Sequence, residues 1–201
     1  MKDKLHKASI LTLVIVPLLT VGTAVVLFWQ KYVFATDLAL LAVMYTISVL
    51  GVTIGYHRML THQGFKTYNW VRGMFIIAGA MSADGQPIAW SATHIRHHAH
   101  SDEEHDPHSP LHGFWHAHFG WLFDRDNFED DKSYAPHLAD DALVQWVDKT
   151  TLFWVLLGLA IPFAIGGWTG LLWGGGVRIF LMSHVTWSVN SICHTFGNRD
   201  Y

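Results

Sequence analysis

The chain has 201 residues, 51% of them hydrophobic and only 14% charged, with 15 histidines, 10 tryptophans and a formal net charge of -3. A charged share this far below the ~25% of soluble domains points to a membrane protein, and an acidic balance without a basic tract excludes nucleic acid as a partner. The single cysteine, Cys193, excludes an internal disulfide and a cysteine-based zinc site.

In chain order, Lys2, Lys4 and Lys7 precede an uncharged run over 8–28. That run exceeds the 7–15 apolar residues usual for a cleaved leader and lacks a clean small-residue cleavage site, so it predicts a retained anchor. A bilayer core of ~30 Å takes about 20 apolar helical residues to cross. The run over 37–55 meets that length, with one acid, Asp37, at its start. Residues 69–90 are weakly apolar, and Asp84, Gly85 and Pro87 break them, which predicts a helix lying at the interface rather than a crossing. The acidic stretch Asp124–Asp131 reads as solvated loop. From Thr150 to Asn198 the only charge is Arg178, too long a run for one crossing. Gly166, Gly167 and Gly170 predict a turn there, giving spans at 151–166 and 171–193, with kinks expected at Pro17 and Pro162.

Basic residues set the orientation. Lys2, Lys4 and Lys7 lie before the first span, seven (Arg58, Lys66, Arg72, Arg96, Arg125, Lys132, Lys149) lie between the second and third, and Arg199 follows the fourth; only Lys31 lies opposite. Both termini and the 56–150 segment are therefore expected on the cytoplasmic side. The predicted fold class is all-α: an integral membrane four-helix bundle, one domain over 1–201, with a cytosolic helical cap carrying a histidine-rich dimetal site.

The histidines fall in three places on that map. "HRMLTH" supplies His57 and His62 at the cytoplasmic end of the second span, "HIRHH" supplies His94, His97 and His98, and "NSICH" supplies Asn190 and His194 at the end of the fourth. On a helix, i, i+3 and i+4 share a face, so His94, His97 and His98 aim three nitrogens at one place. His57 and His62, five apart, stand ~140° around an ideal helix, a spacing that suits two different ions or a frayed terminus. Imidazole binds iron, zinc, copper and nickel alike, and six such side chains favour two metals over one. His6, His137 and His184 read as interfacial polar groups, and His100, His105, His108, His112, His116 and His118 as packing or supporting residues with at most one further ligand among them.

With "GYHRMLTHQGF", "THIRHHAHSDEEHDPH", "HFGW" and "TWSVNSICH" in this order, the chain resembles the membrane fatty acid desaturases of the acyl-CoA and acyl-lipid delta-9 group. The likeness implies two irons on the cytosolic face, with His57, His62, His94, His97, His98 and His194 matching ligands and Asn190 matching a residue that holds an iron through water. It places Trp90, Thr186 and Trp187 along a kinked acyl tunnel. It implies dioxygen as co-substrate, a saturated acyl chain on CoA, lipid or acyl-carrier protein as substrate, an electron donor such as ferredoxin, rubredoxin or a cytochrome, and a cis double bond as product. The family's third box, H-x-x-H-H, is not present through Tyr201, so the expectation is a fragment of a longer protein, or else a chain with impaired metal binding. Three rival readings stand beside this one: a membrane di-iron hydroxylase of lipids or alkanes, a metal-binding or metal-transporting membrane protein, and a non-catalytic remnant. Transport sites normally put ionisable groups at mid-span, where this chain has few.

Overall fold

A computed structural model describes residues 2–124, 127 and 131–196. Most of the acidic stretch Asp124–Asp131, together with Arg125 and Arg199 of the charge count, lies outside the described residues. Among those described, every regular element is helical.

Three helical runs are long and apolar enough to cross a membrane: Asp3–Trp29, Ala35–Thr61 and Thr151–Cys193. The first is α1 (Lys2–Trp29), which continues through Pro17. Helix α2 (Ala35–Leu50) starts with Asp37 buried and accepting a hydrogen bond from the Phe34 amide at 3.0 Å. An acid in a first turn satisfies a free N–H and complements the helix dipole, which explains a carboxylate at the edge of an apolar run. The helix does not end near residue 55. It continues as a π-helix over Gly51–Thr61 and carries the first histidine pair with it.

The third run holds 43 residues, about twice the length one crossing needs. Its first part, α9 (Thr151–Gly170), has its non-helical backbone at Gly167 (φ 61, ψ -146) rather than at Pro162. A positive φ of this kind is open to glycine at little cost, and the chain reverses there. Gly170 and Gly174 press on Pro162, Gly175 on Leu159, and Arg178 reaches the Gly158 carbonyl. The contact numbers run in opposite directions on the two sides, as two antiparallel limbs require. The second limb continues through a π-helical stretch, Leu171–Val177, into α10 (Arg178–Ser188) and a further π stretch, Val189–Cys193.

Between the second and third runs lie α3 (Asn69–Met81), α4 (Pro87–Ala99), the short α5 (Phe114–His118), α6 (Asp131–Tyr134) and α7 (Pro136–Ala139), and α8 (Ala142–Lys149). Helix α3 runs antiparallel along the outer half of the α2 run. A Cβ on Gly51 would stand 2.2 Å from the Gly79 amide nitrogen, and one on Gly55 would stand 2.7 Å from the Phe75 carbonyl oxygen. Glycine is required at that contact because backbone meets backbone. Tyr56, Leu60, Ile76, Ala80, Val144 and Val147 fill the core among α2, α3 and α8. A second cluster, Trp121, Leu122 and Trp187 with Ile10 and Leu13, joins the turn Gly120–Phe123 to α1 and α10.

Arg178 is fully buried and ties four segments together. Its Nη1 donates to Ser48 Oγ at 3.0 Å and to the Met81 carbonyl at 2.6 Å, Nη2 to the Gly158 carbonyl, and Nε to the Gly174 carbonyl. A buried cation costs several kcal/mol unless its donors are satisfied, and here carbonyls and a hydroxyl satisfy them.

The glycine contact gives a paired prediction. Gly51→Ala should cost about 1–3 kcal/mol because backbone must move, whereas Gly22→Ala, with nothing within 4 Å of the added Cβ, should be neutral or slightly stabilising. Thermal unfolding of the two variants in one detergent checks this, and equal midpoints would contradict the α2–α3 contact.

Candidate metal centre

Two π-helical segments and α4 deliver the side chains. In an α-helix His57 and His62 would diverge. In the π segment the His62 amide donates to the His57 carbonyl, five residues back, at 3.0 Å, and an i→i+5 turn stacks residues five apart. Their Nε2 atoms lie 3.2 Å from each other. The expectation that this spacing separates them over two ions, or needs a frayed end, is corrected: the backbone geometry changes instead. One face of α4 supplies His94 and His98, with Nε2 atoms 3.0 Å apart. The two pairs meet, with ring centroids 4.7 Å apart for His57 and His94 and 4.8 Å for His62 and His98. All four rings offer a nitrogen within 4.8 Å of the others.

His97 does not join them, so the expectation that His94, His97 and His98 aim at one place is also corrected. Its ring stays beside the pair, 5.9 Å from that of His94 and 5.5 Å from that of His98, but its Nδ1 is engaged on the flank toward the following loop. There its ring lies 4.2 Å from that of His108 and 4.9 Å from that of His194. His97 Nδ1 meets Asp106 Oδ2 at 2.9 Å, and His194 Nδ1 meets Asp102 Oδ1 at 2.9 Å. A carboxylate on one ring nitrogen fixes the tautomer and turns the other nitrogen toward a metal. Asp106 itself is occupied, since Oδ2 also accepts from the Asp102 amide and Oδ1 from the His108 amide; it orients ligands and has little capacity left to be one. Asp102 adopts a positive φ of 62, a conformation Asp tolerates better than most residues, and strain of this kind gathers at functional sites. Asn190 lies one turn before His194 and lines the adjoining cavity.

The electrostatics favour the neutral form of His94, His98 and His108. Burial first, and then neighbouring histidines, push His94 down to about 2 and His108 down to about 3. His98 is lowered by burial and then by His62. Burial alone would raise Asp106, but the hydrogen bond from His97 and the charges of His108 and His97 outweigh it and hold the carboxyl below its usual value. Neutral imidazoles with no counter-charge inside the cluster, and carboxylates one layer out, are the donor set a transition metal needs.

Beneath the histidines lies a cavity of about 1010 Å³, at the upper end of ligand pockets. Trp90, Thr186, Trp187, Met182, Val52 and Leu122 are among its walls, and His57, His94 and Asn190 reach it. The Trp90 ring stacks on His94 at 5.0 Å, and its Nε1 donates to Asp84 Oδ2 at 3.2 Å. Burial pushes the Asp84 carboxyl up to about 6. Sequence reasoning treated Asp84 as a helix breaker; a lone acid between two apolar runs was the signal of a buried acceptor. His108 reads from sequence as a packing or supporting residue, and geometry sets its ring against that of His97.

His6 meets the Leu122 carbonyl and His137 the Leu60 carbonyl. His118 bridges Ser191 Oγ and His184, joining α5 to α10.

A family profile described as "Fatty acid desaturase" matches residues 29–201. The chain belongs to the fatty acid desaturase family. Relatives include the hex-5-enoyl-[acyl-carrier protein] acetylenase of Moorena producens (strain JHB), 35% identical over 93% of this chain and 64% of that protein. The sn-1 stearoyl-lipid 9-desaturase of Anabaena variabilis is 39% identical over 76% of this chain and 56% of its own length, and Delta-9 acyl-lipid desaturase 1 of Arabidopsis thaliana is 36% identical over 79% and 53%. The chain thus spans between about half and two thirds of the length of these relatives.

The lowered histidines give a pH prediction for the metal-free protein. Above about pH 6.5, neither folded nor unfolded chain protonates His94 or His108. Below it the unfolded chain takes up protons that the folded chain refuses, so stability falls with pH, by up to about 1.4 kcal/mol per pH unit for each fully buried group. The unfolding midpoint should drop steadily from pH 7 to pH 5, and less steeply in His108→Asn; a flat profile would contradict the buried, neutral cluster.

Proposed function

We propose that the protein is an oxygen-dependent fatty acyl desaturase that introduces a cis double bond into a saturated acyl chain beside a histidine-held pair of irons. The observation that carries this reading is the convergence of four imidazole nitrogens on the end of a long apolar cavity. His57, His62, His94 and His98 would hold one metal. His97 and His194, with Asn190 and the adjacent His108, would serve the second. Iron bound there supplies oxygen activation, the part of the chemistry that side chains lack.

The remaining work belongs to the chain. Trp90, Thr186 and Trp187 hold the acyl chain against the histidines, and fixed placement of two neighbouring methylenes is where such a site gains most of its rate. The Asp84 hydrogen bond holds Trp90 in place, and the Thr186 hydroxyl is held by the Met182 carbonyl. Apolar walls exclude water from the reacting carbons. In the same reading, the runs before and after Gly167 are separate crossings, so that the molecule is a four-helix membrane bundle under a cytosolic helical cap, with both termini and the metal centre on the cytoplasmic face and electrons delivered there by a ferredoxin, rubredoxin or cytochrome.

Two measurements on the full protein test this. Iron content and acyl products should both be lost in His94→Ala and retained in His112→Ala, whose ring is exposed on the surface. The product should be lighter than its substrate by two hydrogens. A product heavier by one oxygen would assign a hydroxylase, and activity that survives His94→Ala would overturn the metal centre itself.

A further inference from the structure

Helix α1 is held firmly along only part of its length. In its C-terminal half Pro17 and Ala24 are buried, and Thr20 sits close against the Leu171–Val177 stretch, where a Cβ on Gly176 would stand 2.5 Å from Thr20 Oγ1. In the N-terminal half, no described residue over 3–16 is buried. Yet this half closes a space. His6, Ile10 and Leu13, at i, i+4 and i+7, line the large cavity, and Ile10 and Leu13 pack against the cluster of Trp121, Leu122 and Trp187. Near the tip of the helix, His6 Nε2 donates to the Leu122 carbonyl at 2.9 Å, a bond from α1 to the turn Gly120–Phe123.

Pro17 stands between the two halves. It has no N–H to offer the Leu13 carbonyl, so the backbone bond that would couple the last cavity-lining turn to the next is missing. A helix bends most easily at such a position. The Pro17 carbonyl is itself taken by the Thr20 hydroxyl at 2.6 Å, which ties it to the firmly held half.

The forces on the two halves differ in kind. Lipid tails are as apolar as leucine, so helices within a bilayer associate through close packing and polar bonds rather than through burial. The C-terminal half has the close packing, threonine against glycine. The N-terminal half has apolar side-chain contacts that lipid replaces at little cost, with a hydrogen bond near its tip.

We propose that Lys2–Val16 is a gate: it swings about Pro17, parts from the turn Gly120–Phe123, and opens the side of the cavity that His6, Ile10 and Leu13 close. His6 is its latch. The motion follows from the helix alone; what the gate admits and releases rests on the acyl-cavity reading above. A chain stiffened by a double bond leaves more readily past a wall that moves than by threading along a closed bore, and wall movements of this kind set the turnover of many enzymes.

The experiment uses the full chain in lipid nanodiscs, on a Cys193→Ser background, with two pairs of spin labels read by pulsed electron paramagnetic resonance. Lys7 and Leu111, both exposed, span the gate, and Val26 and Leu38, exposed on α1 and α2, lie beyond the hinge. The Lys7–Leu111 pair should show two distances and the Val26–Leu38 pair one. His6→Ala should raise the ratio of the longer to the shorter Lys7–Leu111 distance about fivefold, the effect of one lost hydrogen bond, and Pro17→Ala should leave the shorter distance alone. Release of a fluorescent fatty acid, cis-parinaric acid, timed by stopped flow, should quicken in His6→Ala and slow in Pro17→Ala. A single Lys7–Leu111 distance that His6→Ala does not alter would overturn the gate, and so would equal release rates in all three proteins. Two distances without any binding of the fatty acid would instead overturn the acyl-cavity reading and leave the hinge standing.

Discussion

A single backbone choice, the hydrogen bond from the His62 amide to the His57 carbonyl, decides whether the centre exists. An i→i+4 helix would send the two rings to different sides, and the pair on α4 would then face one partner instead of two. A π stretch is less favourable than α-helix and survives where packing holds it. Here Gly51 and Gly55 let α3 press against the same stretch, backbone to backbone, and Tyr56 and Leu60 are buried within it. The core that stabilises the outer half of α2 is therefore the same core that aligns its histidines.

The two halves of the centre are held differently. His57, His62, His94 and His98 rely on one another, ring against ring, with no carboxylate among them. His97 and His194 each hang on an aspartate, and those aspartates belong to one loop directly after α4. Asp106 bonds the amides of Asp102 and His108 as well as the His97 ring, so the loop is folded around the carboxylate that orients the ligand. Because Asp102 then reaches His194 at the end of the α10 limb, the loop also ties α4 to that limb.

Much of this was legible in the sequence. The apolar runs marked the helices, the glycines at 166–170 marked the reversal found at Gly167, and the histidine boxes marked side chains that meet in space. What could not be read was the division of labour inside the second box. The i, i+3, i+4 rule puts His94, His97 and His98 within reach of one point, but a helix face is wide, and a carboxylate nine residues further along the chain is invisible to periodicity. Asp106 draws His97 one way while the first pair draws His94 and His98 the other. The π geometry was hidden for a similar reason: a five-residue spacing is an error in an α-helix and a register in a π-helix, and only tertiary packing selects between them. Asp84 went unread because a lone acid signals a break in a helix far more often than a buried acceptor behind a tryptophan.

Arg178 makes sense of the level at which everything sits. Its bond to Ser48 clamps α2 to the α10 limb. From that clamp both helices run in the same direction toward the histidines: nine residues along α2 to His57, and twelve along the other limb to Asn190, roughly 14–18 Å at helical rise. Tyr45 and Met182, close to the clamp, line the cavity at its lower end, and His57 and Asn190 line it at the upper. Two helices pinned below by a guanidinium, and above by the packing of the cap, can leave space between them without collapsing. The unusual cost of a buried cation in an apolar bundle is thus tied to a definite result, a gap between two helices with histidines at one end.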